Sequence, residues 1–314
     1  MLVDIGFILS GLVMLYYGAG FLVKGASSLA VRLGISALVV GLTVVAYGTS
    51  MPEMLVSTMA TLKGQGGISI GNVLGSNIFN IGAILGLSAM IFPLRVHLQV
   101  LRFDTPLMLV SALLFMVFFM DQRIGRSEAL ILLSGAIGYS AFNIIKSRKE
   151  EKKPVSREFE EGIPEKLPGV WWDLLYILAG IGVLAGGSSL LVKGATEMAR
   201  ALGASEALIG LTIVAAGTSL PELATSLVAA LKKQSDIAIG NVVGSNIFNI
   251  LAILGVAGLI RPIETTGISA IDLGVMLGFS LLLIPLMRSG SKISRTEGII
   301  LFVAFLAYMT YLIF

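Results

Sequence analysis

Two hexapeptides hold the densest chemistry in the chain, Gly48-Thr49-Ser50-Met51-Pro52-Glu53 and Gly217-Thr218-Ser219-Leu220-Pro221-Glu222. Each sets two hydroxyls and a carboxylate around a proline. Both lie inside apolar segments. No charge falls within residues 33–52, 54–62, 207–221 or 223–231. A carboxylate at the centre of a membrane span costs ~2.5–3.5 kcal/mol on insertion scales, so Glu53 and Glu222 mark a functional site.

The prolines add backbone to this chemistry. Pro52 lacks an N–H, and its ring clashes with the carbonyl four residues earlier, so the Gly48 carbonyl loses its helical partner. The adjacent Thr49 carbonyl is expected to be freed with it. At membrane depth such groups must face protein or a watery cavity. Carbonyls, hydroxyls and carboxylates are oxygen ligands for a hard cation. Ser50-x-x-Glu53 and Ser219-x-x-Glu222 also fit a capping box opening a helix. The two readings are compatible, but capping alone leaves two matched acids at depth unexplained.

A second motif pair lies downstream. Asn72, Ser76 and Asn80 are spaced by four and form one polar stripe on a helix, and Asn241, Ser245 and Asn249 repeat it. Asn72, Asn77, Asn241 and Asn246 read first as hydrogen-bonding glue between membrane helices. For Ser76, Asn80, Ser245 and Asn249, glue and cation ligation both stand. Gly71-x-x-x-Gly75 and Gly240-x-x-x-Gly244 suit close helix packing. Two carboxylates and two freed threonine carbonyls together reach the low end of the roughly 6–8 oxygens that calcium takes. Their charge is matched by one Ca²⁺. Magnesium, which demands a near-ideal octahedron, fits less well. The hydroxyls and amides suit Na⁺.

The elements that position these residues are long apolar runs. Of 314 residues, 56% are hydrophobic and 13% charged, against about 25% charged in ordinary soluble domains. This is the composition of a helical integral membrane protein, since a β-barrel would show short alternating segments. A net charge of +3 gives no reason to expect a nucleic-acid partner, and the lack of cysteine excludes disulfides and thiolate sites. The lone His97 reads as a loop residue. The first run follows Asp4, without a basic leader, and reads as a retained span.

Ten spans are expected, at about 5–31, 36–62, 69–92, 103–120, 127–145, 172–200, 205–231, 238–260, 269–287 and 296–313. Residues 1–145 form a first five-helix unit and residues 172–314 a second. Residues 146–171 form a polar linker, expected to be solvated and mostly disordered. Placing the linker in the cytoplasm puts fifteen basic residues on that side and five on the other. Both termini then lie outside, in a plasma-membrane protein.

Shifting the sequence by 169 aligns the two units without a gap. Leu22-Val23-Lys24-Gly25-Ala26 meets Leu191-Val192-Lys193-Gly194-Ala195, and Gly75-Ser76-Asn77-Ile78-Phe79-Asn80 meets Gly244-Ser245-Asn246-Ile247-Phe248-Asn249. With five spans per unit, the second enters the membrane from the opposite side. The expected fold is all-α, ten transmembrane helices in two inverted repeats with broken helices at the midplane, an architecture of secondary transporters. Glu128 and Glu297 are also repeat mates, but each opens a span beside an arginine and reads as a helix-start charge.

The duplicated G-T-S-x-P-E and G-S-N-x-x-N motifs resemble the α-repeats of the cation/calcium antiporter superfamily, and most of all its prokaryotic sodium/calcium exchanger branch. The resemblance covers the chain except the linker. It implies exchange of Na⁺ for Ca²⁺ at overlapping sites, with the first and sixth helices sliding over a fixed core. It implies cation ligands at Thr49, Ser50, Glu53, Ser76 and Asn80 and at Thr218, Ser219, Glu222, Ser245 and Asn249. Some members, including potassium-dependent ones, have aspartate where this chain has Asn249. The large regulatory loop of animal exchangers is absent, and the linker carries no EF-hand pattern. No catalytic residue, cofactor or obligate protein partner is expected; the partners are Na⁺, Ca²⁺ and the bilayer. Two readings compete with this one: a proton-coupled cation exchanger, since buried glutamates also carry protons, and a cation channel with the glutamates in a selectivity ring.

Overall fold

The computed structural model describes residues 2–150, 166–202, 215–265 and 268–313. It is helical throughout, apart from four two-residue strands. The first helix is α1 (Leu2–Leu33). A helix bent by 47° follows, made of α2 (Ala37–Thr49) and α3 (Met51–Leu62). Then come α4 (Gly66–Ile91), α5 (Val100–Phe118) and α6 (Arg126–Glu150). The second half holds α7 (Val170–Ala201), α8 (Ala215–Thr218), α9 (Leu220–Leu231), α10 (Ser235–Ile260), α11 (Ala270–Arg288) and α12 (Arg295–Ile313). Among the described residues eight helices are long and apolar enough to cross a membrane, and the bent pair makes a ninth. The expected run 205–231 falls partly outside the described residues, which hold only α8 and α9 from it.

Helices α4 and α10 are the most buried of the long ones. Their small residues explain how close they sit. A Cβ on Gly244 would lie 2.6 Å from the Leu42 carbonyl, and one on Gly240 3.0 Å from that of Leu38, so α10 presses directly on α2. Gly75, the repeat mate of Gly244, meets nothing within 4 Å among the described residues.

Helices α1 and α7 form an antiparallel pair along the bundle. Gly11 faces Gly187 and Gly18 faces Gly180, while Gly25 lies against Asp173 and Ile177 and Gly194 against Asp4, with Cβ positions only 2.6–3.0 Å from the opposing backbone. Without side chains at the contact, the two backbones approach as membrane helices with small-residue stripes do. This seven-residue spacing of glycines was visible in the sequence as an unused pattern.

Two short antiparallel ribbons close the ends. β1 (Leu94–Arg95) pairs with β4 (Lys292–Ile293), and β2 (Arg123–Ile124) pairs with β3 (Ile263–Glu264). Both ribbons join the two halves of the chain.

Both ends of the expected linker are structured. Helix α6 continues to Glu150, carried past the apolar run by residues with good helix propensity. Lys146 lies over the rings of Phe103 and Phe142, at 5.7 and 5.9 Å. At the far end, α7 starts at Val170. Residue 167 is tied down as well: its N–H donates to Ser28 at 2.9 Å, and its carbonyl accepts from Arg32 at 2.6 Å. Arg32 in turn pairs with the buried Asp173 at 2.5 Å. The rest of the expected linker, 151–165, lies outside the described residues.

Candidate cation site

Both proline knots interrupt their helices in the same way. Ser50 has φ −82° and ψ 9°, and Ser219 has φ −91° and ψ 7°. This sparsely allowed region suits a junction. Pro52 and Pro221 then sit in the first turn of α3 and α9, where the missing N–H costs nothing.

The expected capping boxes do not form: neither Ser50 nor Ser219 caps its own helix with its side chain. Each hydroxyl crosses to the other half instead. Ser50 donates to Glu222 Oε1 at 2.8 Å, and Ser219 donates to Glu53 Oε1 at 2.8 Å. The stripe serines join the same cluster. Ser50 Oγ lies 3.0 Å from Ser245 Oγ, and Ser219 Oγ lies 3.1 Å from Ser76 Oγ. A hydroxyl bonded to a carboxylate across the interface outweighs a local cap, because a buried carboxylate oxygen without a donor is costly.

A second layer fixes the threonines. Thr49 donates to Asn241 Oδ1 at 3.1 Å, and Thr218 to Asn72 Oδ1 at 3.4 Å. The amide of Asn72 donates to the Glu53 carbonyl and to Ser57, and that of Asn241 to the Glu222 carbonyl and Ser226. Asn77 and Asn246 each donate to the other's backbone carbonyl, at 3.4 and 3.3 Å. These four asparagines are the glue that the sequence suggested. Ser57 and Ser226 were missed; they stand one turn beyond the glutamates on the same helix face, which was the available signal.

Asn80 and Asn249 use their amide N–H groups on Asn246 Oδ1 and Asn77 Oδ1, at 2.9 and 3.1 Å. Each also opens a stretch of π-helix, over Asn80–Leu85 and Asn249–Ile253. Such bulges gather at functional sites because they re-aim a side chain within a helix.

The telling feature is what these groups leave unmet. Glu53 and Glu222 are 0% and 1% exposed. Among the described residues neither pairs with a lysine or arginine, and they lie within Coulombic reach of each other. Glu53 Oε2, Glu222 Oε2, Asn80 Oδ1 and Asn249 Oδ1 are buried without any hydrogen-bond donor. Buried acceptors are almost always satisfied. These four unmet acceptors fall into two repeat-mate pairs, one of carboxylate and one of amide oxygens, and a cation is the kind of group that would satisfy them.

The knots differ at one carbonyl. Ser188 of α7 donates to the Gly217 carbonyl at 2.5 Å. The corresponding position in α1 is Ala19, which has no hydroxyl to offer Gly48. Glu128 and Glu297 are remote helix-start groups. Glu128 accepts from the Gly125 N–H and Glu297 from Ser294. His97 is exposed in its loop, where its Nδ1 accepts from the Gln99 N–H.

The sequence model described as "Sodium/calcium exchanger protein" matches residues 3–145 and 172–314. The chain belongs to that family. It is therefore a multi-pass membrane transporter and no enzyme. This exchanger-family chain is 40% identical over 319 residues to the putative antiporter CaxA of Alkalimonas amylolytica, covering 100% of the chain and 99% of that relative. It is 34% identical to the sodium/calcium exchanger MaX1 of Methanosarcina acetivorans, covering 98% and 97%. Among solved structures it matches the sodium-calcium exchanger NCX_Mj soaked with Na⁺ and Ca²⁺, with a TM-score of 0.83 and 34% identity, covering 99% and 98% of the two chains.

Proposed function

We propose that this protein is a secondary antiporter that exchanges Na⁺ for Ca²⁺ by alternating access around the two proline knots. The four orphaned acceptor oxygens on Glu53, Glu222, Asn80 and Asn249 carry this reading. Thr49, Ser50, Ser76, Thr218, Ser219 and Ser245 complete the ligand set with hydroxyls and freed backbone. Oxygen donors alone, with a charge of −2, suit Ca²⁺ in irregular coordination, and the neutral oxygens give Na⁺ sites of its own. The names of the antiporter and exchanger relatives agree with it.

The architecture that goes with this function is ten spans in two inverted repeats, 1–145 and 172–314, joined by the linker 146–171. Reciprocity of contacts supports it. Ser50–Glu222 and Ser219–Glu53 exchange under the 169-residue shift, as do the ribbons β1–β4 and β2–β3. The basic-residue bias places the linker in the cytoplasm and both termini outside a plasma membrane. Impermeant maleimide tests this in the cysteine-free background: Lys166→Cys should stay unlabelled on intact cells, and labelling there reverses the topology.

Coupling follows from the amides. With Asn at 80 and 249, no third carboxylate titrates or binds a further cation, and an amide oxygen coordinates Na⁺ without releasing a proton near neutral pH. Transport should therefore need Na⁺ and no K⁺. It should carry net charge whenever more than two Na⁺ balance one Ca²⁺. Ca²⁺ flux into proteoliposomes at clamped voltage, varying one monovalent ion at a time, tests each part. Equal flux driven by a pH gradient without Na⁺ would favour the proton-coupled reading, to which the unpartnered glutamate oxygens also lend themselves.

A further inference from the structure

The central site is two-fold in its contacts, but one side-chain bond beside it, between Tyr47 and Ser140, has no counterpart in the second half. Tyr47 lies on α2, two residues before Thr49. Its hydroxyl meets Ser140 of α6. Ser140 already gives its own proton to the Ala136 carbonyl at 2.7 Å, so Tyr47 is the donor. The adjacent Tyr139 donates to Asp104 Oδ1 of α5 at 3.0 Å, and Asp104 is 0% exposed with its Oδ2 lacking a partner. Asn143 stands one turn further along α6, its amide donating to the Tyr139 carbonyl and its Oδ1 accepting from Gln99. The Tyr47 ring packs against Phe248, 4.3 Å between centroids, immediately before Asn249.

Shifted by 169, these positions read Ala216 for Tyr47, Met309 for Ser140, Leu273 for Asp104 and Leu312 for Asn143. Tyr139 is matched by Tyr308, which donates to Asp272 at 2.8 Å, so the tyrosine–aspartate bond has a counterpart; the Tyr47–Ser140 bond has none, because Ala216 and Met309 carry no hydroxyl. Polar groups within a membrane bundle cost stability unless they are matched, so a hydroxyl pair kept in one half only calls for a role there. Helix α2 begins on the linker side, where the Ser36 N–H donates to Ser147 near the end of α6. The chain of bonds therefore fastens the linker-side half of the first broken helix to α6 and α5.

We propose that Tyr47, Ser140, Tyr139 and Asp104 form a strut that holds this half-helix shut against α6, so that access to the site from the linker face is restrained while access from the opposite face is not. Tyr47 acts as a positioning residue: it touches no cation, but sets the segment that presents Thr49 and, through Phe248, backs Asn249. The ion arm of the test rests on the exchange function proposed above; the labelling arm does not.

Both arms use Tyr47→Phe, which keeps the ring on Phe248, and Ser140→Ala, each alone and together. In the first arm Val44→Cys, on the same half-helix, is titrated with impermeant maleimide in vesicles whose linker face is identified by Lys166→Cys. Losing one hydrogen bond should raise the labelling rate from the linker face about threefold to tenfold, with the double variant no higher than either single, because one bond is removed in all three. In the second arm Ca²⁺ half-saturation is measured from each face. It should shift by a similar factor on the linker face and stay unchanged on the other. Tyr308→Phe, which removes the bond to Asp272 in the second half, should move neither reading. Unchanged labelling in both folded single variants, or equal shifts on the two faces, overturns the strut. A shift in labelling without any Na⁺-dependent Ca²⁺ flux would leave it standing and count against the exchange function.

Discussion

The two halves of this chain agree at the centre and part company around it. At the knots the pairing is reciprocal bond for bond: serine to opposite glutamate, asparagine to opposite asparagine. Away from them the halves diverge. The first half has the Tyr47–Ser140 bond, where the second half offers Ala216 and Met309 at the corresponding positions. The second half alone has Ser188 on its knot carbonyl. What binds the ion must present similar oxygens from either direction. What opens a path to it must differ, because the two faces of a membrane are different solutions.

The largest effect should come from the symmetric part. Glu53→Gln and Glu222→Gln each leave a single negative charge for a divalent ion in a poorly solvated site, where uncompensated charge is expensive. Each should cut Ca²⁺ flux by about 100-fold or more while the protein stays folded, as one lost charge pairing is worth several kcal/mol. Flux assays on both variants check this. A residual rate in one variant alone would break the equivalence of the halves.

Asp173→Asn should be next, and it acts on folding. It leaves Arg32 without its anion and loosens residue 167 from the end of α1. Removing one member of a largely buried pair costs about 3 kcal/mol, read as a lowered melting temperature in detergent.

A smaller change is expected from Ser188→Ala. It strips one hydrogen bond from the Gly217 carbonyl and makes the second knot resemble the first, at a net cost of about 1 kcal/mol. Ca²⁺ binding to purified protein should weaken severalfold; unchanged binding would show that this asymmetry is idle. The smallest effect belongs to Glu128→Gln. The residue sits at a helix start, so cation binding should be unaltered and stability should fall by about 0.5 kcal/mol. Loss of binding without unfolding would move Glu128 into the site.

Much of this arrangement was legible in the residues. The span limits follow from apolar run length, and the described helices begin and end within a few residues of them. The internal offset and the two acids pointed to the candidate site, and the structure brings the serines and glutamates of both motifs into contact. The direction of the serines was not legible. Ser50-x-x-Glu53 satisfies a local capping rule, and only the opposing glutamate, distant in sequence, outbids it. Nor was the strut. Tyr47, Ser140 and Asp104 have no common spacing, and Asp104 reads as an ordinary interfacial charge at the edge of its span. The helical start of the linker stretch, up to Glu150, was not legible, because a solvated helix end is as polar as a coil.

The crossed pairing also bears on how the protein is made. A ribosome releases the first half well before the second. Until residue 219 arrives, Glu53 lacks the hydroxyl that meets it in the finished protein, and strands β1 and β2 lack the partners that lie at 292–293 and 263–264. The N-terminal half is thus an intermediate that cannot mature alone, and its carboxylate must wait in the membrane, protonated or hydrated. The candidate site cannot assemble until the second half has been made, and a chain truncated at the linker would leave Glu53 without the hydroxyl of Ser219.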